Sequence, residues 1–262
     1  MGRSALSHLK AALICLLLLV TTPAAWAGGV LSDNIRIDSK ILGYALQYRV
    51  YRPEGVAAKA PLPTVYVTDG QWYLKDGGFK ETLDRMIASH VITPVMAVFV
   101  DARNPDKPAE NRRNDQFMCN QAYANFFAGE LVPTVEAHFA ALANRDHRLI
   151  MGLSFGGLNA GCFGLMVPSV FGKIAMQSPA SDKHVKLLMG LYKNNPVQLV
   201  RMFLSVGKKK DNTSAVRRFH KLLVKKGYDV TYKEVPYGHE WANWRPLIDD
   251  VLTTFYGTAK TG

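Results

Sequence analysis

Short apolar runs alternate with stretches of helical spacing along most of the chain. The runs that we interpret as strands cover residues 64–68, 95–100, 149–151, 174–176, 202–206 and 230–235. The stretches with helical spacing cover residues 81–89, 126–139, 183–192 and 214–226. Strands that alternate with helices form mostly parallel sheets with helices on both faces. The pattern therefore predicts an α/β fold with a central sheet of this kind.

The first two strands differ from the later ones because only a short turn, and no helix, separates them. Residues 35–38 and 44–51 read as strands, and Gly43 lies near the turn between them. A connection this short joins antiparallel neighbours. Pro53 ends the second strand, since proline has no backbone N–H to donate to a sheet. We expect an antiparallel edge at the N-terminal side of the sheet.

Two features interrupt this regular order. Residues 101–115 are rich in Asn, Pro and Arg and follow neither periodicity, which predicts a long loop. Pro133 lies within the apolar segment at residues 126–139 and would interrupt or kink that helix. We therefore expect the regular alternation to break at both places.

The first residues have the features of a secretory signal peptide. Two basic residues precede an apolar run at residues 11–20, and Ala25 and Ala27 supply the small residues of a cleavage site. The run is too short to span a bilayer, and no later stretch is long and apolar enough. We predict a signal peptide at residues 1–27, a single domain at residues 28–262, a periplasmic or secreted location and no stable membrane insertion.

The chain is basic, with a formal charge of +11 at pH 7. Removing Arg3 and Lys10 with the signal segment, which contains no acidic residue, leaves +9. No stretch combines a basic cluster with the aromatic pattern of a nucleic-acid module, so no nucleic-acid partner is predicted. Solubility is the simpler explanation of the charge, and an anionic substrate or envelope surface is the alternative.

Three cysteines occur, of which Cys15 belongs to the predicted signal segment. Cys119 and Cys162 would remain in a compartment that permits disulfides. Cys162 lies in an apolar helical stretch, where a buried free thiol is the favoured alternative. The sequence leaves both a disulfide and two free thiols open.

Gly152, Ser154 and Gly156 fit the Gly-x-Ser-x-Gly pattern of a nucleophile elbow. In that motif a serine lies on a sharp strand-to-helix turn, and the glycines let backbone segments approach without a Cβ atom. A predicted strand at residues 149–151 precedes the pattern, and an Ala/Gly-rich helical stretch at residues 158–165 follows it. This context favours Ser154 as a nucleophile over a serine in an ordinary glycine-rich turn.

A serine hydroxyl needs a general base whose second ring nitrogen is held by an acid. His239 follows the last predicted strand, where a C-terminal loop would reach the elbow. The other histidines after the signal segment lie in or beside helical or polar stretches and are interpreted as surface or packing residues: His90, His138, His147, His184 and His220. We therefore expect His239 to be the base.

Folds that carry a nucleophile elbow order their triad along the chain as serine, acid, histidine. The acid should therefore follow the strand at residues 202–206. Asp211 lies in that loop and is the candidate acid. It would alternatively cap the helix that begins just beyond it. Asp182, Glu234 and Glu240 are the other acids that remain open.

The tetrahedral intermediate of acyl transfer needs backbone N–H donors. Phe155 follows the nucleophile, and Gln71 follows an earlier strand, so both occupy the usual donor positions. Trp72, Tyr73 and Trp241 are candidates for lining the substrate pocket, although aromatic residues at such positions are equally often core. Because the histidines and cysteines lack ligand spacing and no phosphate-binding glycine loop occurs, we predict no metal and no cofactor.

Together these motifs resemble the esterase family that includes esterase D, enterobactin-type siderophore esterases, feruloyl and acetyl-xylan esterases and the mycolyltransferases. The resemblance covers nearly the whole predicted domain. It rests on residues 65–71, Asp101 followed by Arg112 and Arg113, residues 130–133, 152–157, 171–172, 178–179 and 238–241, and Trp244 with Arg245. One departure is at the acid, since three lysines separate Gly207 from Asp211.

The resemblance implies an α/β-hydrolase with Ser154, Asp211 and His239 as triad. It also implies Gln71 as the second oxyanion donor. A place near the substrate entrance for Arg112 or Arg113 follows from the same resemblance. A signal peptide argues against the cytosolic formylglutathione hydrolases of this family and favours siderophore or carbohydrate-ester enzymes. The basic surface favours an anionic small-molecule ester, such as a ferric catecholate.

Two other functions are compatible with these residues. The same acyl-enzyme would act as an acyltransferase if an alcohol, rather than water, intercepted it. A binding protein can also keep a hydrolase fold without its chemistry, although the presence of Ser154 and His239 argues against this reading. The sequence predicts a small-molecule ester as partner and specifies no oligomeric state.

Overall fold

The computed structural model describes residues 28–258, so the predicted signal peptide lies outside the described residues. The strands are β1 (Val30–Leu31), β2 (Ile35–Ser39), β3 (Tyr44–Arg52), β4 (Thr64–Thr68), β5 (Met96–Asp101), β6 (Arg103–Asn104), β7 (Lys107–Asn111), β8 (Arg148–Leu153), β9 (Lys173–Gln177), β10 (Arg201–Gly207) and β11 (Asp229–Val235). The α-helices are α1 (Gly70–Lys75), α2 (Phe79–Ala88), α3 (Arg113–Phe117), α4 (Gln121–Phe126), α5 (Val132–His138), α6 (Phe155–Met166), α7 (Asp182–Asn194), α8 (Thr213–Lys225), α9 (Trp241–Trp244) and α10 (Leu247–Tyr256).

The central sheet has the strand order β1-β3-β5-β4-β8-β9-β10-β11, with β2 paired to β3 outside this path. Neighbouring strands from β5 to β11 in this order are parallel. The pairs β1–β3, β2–β3 and β3–β5 are antiparallel. The structure therefore confirms the predicted α/β fold, with its mostly parallel sheet and antiparallel N-terminal edge.

Helices cover both faces of the sheet because successive residues of a strand point to opposite faces. In β4, Val65 and Val67 join a core that includes residues of α2 and α10. Tyr66, between them, joins the core on the other face with residues of helices α4 to α8. All five residues of β4 are buried, as expected for a central strand of a sheet covered on both sides.

Residues 101–115 do not form the long loop that the sequence predicts. The strands β6 and β7 pair as an antiparallel hairpin, and α3 begins at Arg113. All five residues of β7 are exposed, so no apolar alternation marks this strand in the sequence. The loop prediction was wrong because this segment is ordered by backbone pairing and not by burial in the core. A hydrogen bond from Asn104 Nδ2 to Glu110 Oε2 (2.8 Å) also links the two strands.

Pro133 does interrupt the helical segment at residues 126–139. It is the second residue of α5, and Phe127–Leu131 just before it form a π-helix. Proline cannot donate an N–H, and its ring clashes with the carbonyl four residues earlier in a regular helix. The π-helix, which has a wider turn, therefore lies where Pro133 makes regular α-helical hydrogen bonding least favourable.

Cys119 and Cys162 form a disulfide, with their Cα atoms 5.3 Å apart. Cys119 lies between α3 and α4, and Cys162 lies within α6. The bridge therefore ties the segment that carries α3 to the helix that follows the elbow serine. Among the helices of residues 28–258, none has the length and apolar character needed to cross a membrane.

Candidate active site

Ser154 lies between the end of β8 and the start of α6, with φ 53° and ψ −120°. A residue with a side chain rarely adopts positive φ, so the surrounding contacts must hold this conformation. The Ser154 N–H donates to Gln177 O at 2.8 Å, and the Leu158 N–H donates to Ser154 O at 3.0 Å. A Cβ atom on Gly152 would lie 2.4 Å from both Thr68 Oγ1 and the carbonyl carbon of Gly156. The turn is therefore too crowded for a side chain at Gly152.

The three residues of the predicted triad lie in one hydrogen-bonded chain. Ser154 Oγ is 2.8 Å from His239 Nε2. His239 Nδ1 is 3.0 Å from Asp211 Oδ1. Both separations are within hydrogen-bond reach of a nucleophile, its base and the acid that orients the base. The His239 side chain is 31% exposed, whereas the Asp211 side chain is fully buried.

The Asp211 carboxylate accepts several hydrogen bonds besides the one from His239. The backbone N–H groups of Gly207 and Asn212 each donate at 2.8 Å, and Ser178 Oγ donates at 2.7 Å. Burial works against the charged form of Asp211, but these hydrogen bonds outweigh it and lower the pKa of the carboxyl group. Asp211 therefore stays charged beside His239 at neutral pH.

The alternative acids have other partners or positions. Glu234 pairs with Arg217 at 2.6 Å and accepts from Tyr232, and these contacts lower its pKa to about 2. Glu240 accepts the backbone N–H of Gly238 at 3.0 Å. Asp182 lies in the first turn of α7. Among the candidate acids, Asp211 is the one within hydrogen-bond distance of His239.

Two residues that support the triad were missed from the sequence. Asn243 Nδ2 lies 3.1 Å from Ser178 Oγ and donates to Gly238 O at 2.9 Å. Ser178 has φ 45°, so the chain turns sharply as it leaves β9. Both are polar residues that are almost completely buried, and a buried position cannot be read from a single polar residue in a sequence. They hold the loops of Asp211 and His239 together.

The candidate oxyanion donors lie at the first turns of two helices on neighbouring strands. Gln71 is the second residue of α1, which follows β4, and Phe155 is the first residue of α6, which follows β8. The first N–H groups of a helix have no intrahelical acceptor. Since β4 and β8 are adjacent and parallel, both N–H groups lie at the carboxyl ends of these strands, on the same side of the sheet. The Gln71 side chain lines a different cavity, and its amide atoms are buried without a hydrogen-bond partner.

A cleft of about 350 Å³ opens beside the triad. It is lined by Trp72, Asp76, Arg113, Leu153, Ser154, His239, Trp241 and Trp244. The structure thus brings three predicted substrate-binding residues together with Ser154 and His239: Trp72, Arg113 and Trp241. The expectation for Tyr73 was wrong, because its ring is fully buried in the core and its hydroxyl donates to Gln177 Oε1 at 2.6 Å. The sequence does not reveal the positions of Asp76, Leu153 and Trp244 in the cleft, because they come from three separate elements, the ends of α1, β8 and α9.

Arg112 lies elsewhere, although it is adjacent to Arg113 in the sequence. Its guanidinium stacks 4.1 Å from the centre of the Tyr44 ring and pairs with Glu110 at 2.8 Å. Arg112 is not among the residues that line the cleft. The resemblance left open which of the two arginines lies near the substrate entrance, and the structure favours Arg113.

Arg113 pairs with Asp69 beneath the cleft. Arg113 Nε lies 2.8 Å from each carboxylate oxygen of Asp69, and the Asp69 side chain is fully buried. Burial raises the pKa of Asp69 to about 6, and the positive charge of Arg113 opposes this rise. Asp69 has φ 58° and immediately precedes α1. The pair therefore holds the turn that presents the Gln71 N–H.

Known proteins share this architecture and part of this sequence. The model of the family described as Putative esterase matches residues 39–255. This chain belongs to that esterase family. Membership supports the hydrolysis of esters as the reaction class of the protein.

Two curated proteins are similar to this esterase over most of its length. It is 26% identical over 228 residues to the uncharacterized protein YjcH of Bacillus subtilis, covering 82% of this chain and 92% of that protein. It is also 26% identical over 250 residues to the iron(III) salmochelin esterase of Escherichia coli, covering 88% of this chain and 60% of that protein. The esterase thus spans less than two thirds of its siderophore-esterase relative.

Solved structures of two kinds of esterase share the fold. The enterobactin esterase of Shigella flexneri, crystallised in the presence of enterobactin, gives a TM-score of 0.77 at 21% identity, covering 88% of this chain and 60% of that one. The ferulic acid esterase of Anaeromyces mucronatus gives a TM-score of 0.70 at 16% identity, covering 93% of this chain and 96% of that one. At these identities the likeness establishes the fold of the esterase.

Proposed function

We propose that the protein is a serine esterase in which Ser154 attacks the ester carbonyl. The observation that carries this proposal is the unbroken chain Ser154 Oγ, His239 Nε2, His239 Nδ1 and Asp211 Oδ1, with contacts of 2.8 and 3.0 Å. A serine hydroxyl is a weak nucleophile unless a base removes its proton during attack. His239 is positioned to take that proton, and charged Asp211 stabilises the imidazolium that results.

The reaction then proceeds in two halves. Attack by Ser154 Oγ gives a tetrahedral intermediate whose oxyanion would accept hydrogen bonds from the N–H groups of Phe155 and Gln71. His239 next donates its proton to the departing alcohol, which leaves an acyl group on Ser154. A water molecule repeats the sequence with His239 as base and releases the acid. These two N–H groups support the oxyanion step because they lie in the first turns of helices, where they have no intrahelical acceptor and are oriented before the substrate binds.

We propose that the acyl part of the substrate carries an aromatic group. Three indole side chains, from Trp72, Trp241 and Trp244, line the cleft beside Ser154. Indole rings bind aromatic groups by edge-to-face or offset stacking. The related structures include enzymes named for enterobactin and for ferulic acid, which supports a catecholate or ferulate-like ester. The formal charge of +9 that remains without the signal segment supports an anionic ester among these.

We further propose that residues 1–27 direct the chain out of the cytoplasm and are removed, which leaves residues 28–262 as the working domain. The apolar run at residues 11–20 and the small residues Ala25 and Ala27 support this processing. The disulfide between Cys119 and Cys162 also fits an oxidising compartment.

The experiment is a panel of esters offered to the protein that begins at Gly28. The panel contains a short nitrophenyl ester, a feruloyl sugar and a catecholate trilactone, each with wild-type protein, Ser154→Ala and Ser89→Ala. Ser89 is an exposed serine at the end of α2 and serves as the matched control. We expect hydrolysis that Ser154→Ala abolishes and Ser89→Ala retains. Hydrolysis that survives Ser154→Ala would reject the serine mechanism.

A further inference from the structure

A second cavity touches the triad histidine. It has a volume of about 290 Å³ and is lined by Ala180, Ser181, Asp182, Lys210, Asp211, Asn212 and His239. His239 lines both this cavity and the tryptophan-lined cleft. Ser154 and the three tryptophans line only the first. The two spaces therefore meet at the residue that transfers the proton.

The sheet order places this cavity on one side of Ser154 and the oxyanion donor on the other. Strands β4, β8, β9 and β10 are consecutive in the sheet and parallel. Gln71 follows β4 and Ser154 follows β8, whereas the residues that wall the cavity, apart from His239, follow β9 and β10. The carbonyl oxygen of a bound ester points toward the oxyanion donors. The leaving oxygen must then face His239, which protonates it, and the alcohol part extends toward the β9 and β10 loops.

Direct hydrogen bonds fix the walls of the cavity. Asn212 Nδ2 donates to Pro179 O at 3.0 Å and to Ala180 O at 3.2 Å, which joins the loop after β9 to the loop after β10. Ala180 and Lys210 both have φ 48°. Non-glycine residues held at positive φ are uncommon and gather at functional sites. These two loops are therefore held in specific conformations beside the triad.

Lys210 is the cationic residue of this cavity. Within the part of the chain that the structure describes, no carboxylate oxygen is recorded within ion-pair distance of its amine. The Asp211 carboxylate is occupied by His239 and its other donors. Asp182 also lines the cavity and lies in the first turn of α7, where the helix N-terminus stabilises its charge. Lys208 and Lys209 are exposed next to Lys210 and add to the positive field.

We propose that this cavity binds the alcohol part of the ester and that Lys210 selects alcohols that carry a carboxylate. The inference rests on the proposed serine-esterase function and specifies the leaving-group side of the same site. Lys210 would contact the carboxylate of the leaving group and would take no part in proton transfer. It is therefore a specificity-determining residue, whose loss changes the preference between substrates.

Two esters with the same acyl group test this inference. One is the benzoate ester of 3-hydroxypropanoate, and the other is the benzoate ester of 3-hydroxypropanamide, which has the same shape without the charge. The measured quantity is the ratio of kcat/KM for the charged ester to kcat/KM for the amide. It is determined for the wild type, Lys210→Gln, Lys210→Arg and Lys209→Gln. Lys209 is an exposed neighbour that does not line the cavity.

We expect Lys210→Gln to lower this ratio roughly tenfold, the size of one hydrogen bond between charged groups. Lys210→Arg should restore most of the ratio, and Lys209→Gln should leave it within about twofold of wild type, because Lys209 does not line the cavity and a charge at a distance is screened by salt. An equal loss in both glutamine variants, or no loss in Lys210→Gln, would overturn the subsite while leaving the esterase intact. If the wild type hydrolyses neither ester nor any member of the ester panel, the esterase proposal and the subsite fail together.

Discussion

Arg113 Nε lies 2.8 Å from each of the two carboxylate oxygens of Asp69, and this pair is buried directly under the candidate active site. The Asp69 side chain has no exposed surface and that of Arg113 is 15% exposed. Arg113 also lies 5.2 Å from the ring centre of Phe155. One arginine therefore connects the turn before Gln71 with the residue after Ser154.

Removing that arginine should destabilise the fold. We expect Arg113→Met to lower the free energy of unfolding by about 3–5 kcal/mol at pH 8, because it leaves the buried carboxylate of Asp69 without a partner. Urea denaturation measures this directly. Arg112→Met is the control, since Arg112 pairs with an exposed glutamate and stacks on Tyr44, and it should cost no more than about 1 kcal/mol. Equal losses for the two variants would contradict the structural role of the buried pair.

The pH dependence of stability should report the raised pKa of Asp69. Because its pKa is about 6 in the folded protein and 3.8 is the ordinary value, the folded state binds more protons than the unfolded state between these pH values. Asp69 therefore makes the fold less stable as pH rises from 4 to 6, by up to about 3 kcal/mol. Below pH 4 this cost is absent, and above pH 6 it is complete.

Asp69→Asn removes this titration. We expect the difference in unfolding free energy, Asp69→Asn minus wild type, to rise by up to about 3 kcal/mol between pH 4 and pH 7. Urea denaturation at several pH values gives the difference. A difference that falls over this range would show that pairing with Arg113 lowers the pKa of Asp69 more than burial raises it.

Much of this site could be predicted from the sequence because its parts follow strand ends. Ser154, Asp211 and His239 each come after a predicted strand, and parallel strands bring such loops to one edge of the sheet. The structure places these three residues within hydrogen-bond distance of one another. Asp69 and Arg113 were given no joint role, because neither residue type nor spacing reveals that two residues 44 positions apart form a buried pair.

The disulfide should contribute to stability. We expect the double variant Cys119→Ser/Cys162→Ser to unfold about 2–4 kcal/mol more easily than wild type, since the bridge limits the freedom of the unfolded chain. Urea denaturation with and without a reducing agent measures the effect. The reducing agent should destabilise wild type and leave the double variant unchanged. If the oxidised wild type and the double variant are equally stable, the bridge has no such role.

Other features of the fold depend on contacts that lie outside local sequence patterns. The β6–β7 hairpin has fully exposed residues in β7, so apolar periodicity could not reveal it. The helix α10 packs against α2 across more than 150 residues of sequence, and it was not predicted. The apolar helix around Cys162 favours a free thiol when the sequence is considered alone, whereas tertiary packing brings Cys119 to its side. The last two outcomes required knowledge of distant partners, whereas the hairpin pairs neighbouring segments without an apolar pattern.

Trp72 should distinguish aromatic from aliphatic acyl groups. We expect Trp72→Ala to lower kcat/KM for a benzoate ester about 3- to 10-fold more than for the matched acetate ester, which corresponds to one aromatic contact of about 0.5–1.5 kcal/mol. Steady-state kinetics with both nitrophenyl esters provide the ratio. An equal effect on the two esters would place the aromatic acyl group outside the cleft lined by Trp72.

The central claim is that Ser154 forms a covalent acyl-enzyme with His239 as its base. The most direct measurement is mass spectrometry of the protein that begins at Gly28, after incubation with a nitrophenyl alkylphosphonate and digestion to peptides. The account predicts one phosphonyl adduct per chain, located on Ser154, and a much slower reaction in His239→Ala because the serine then lacks its base. An adduct on another residue, or ester hydrolysis by a protein that forms no adduct, would contradict it.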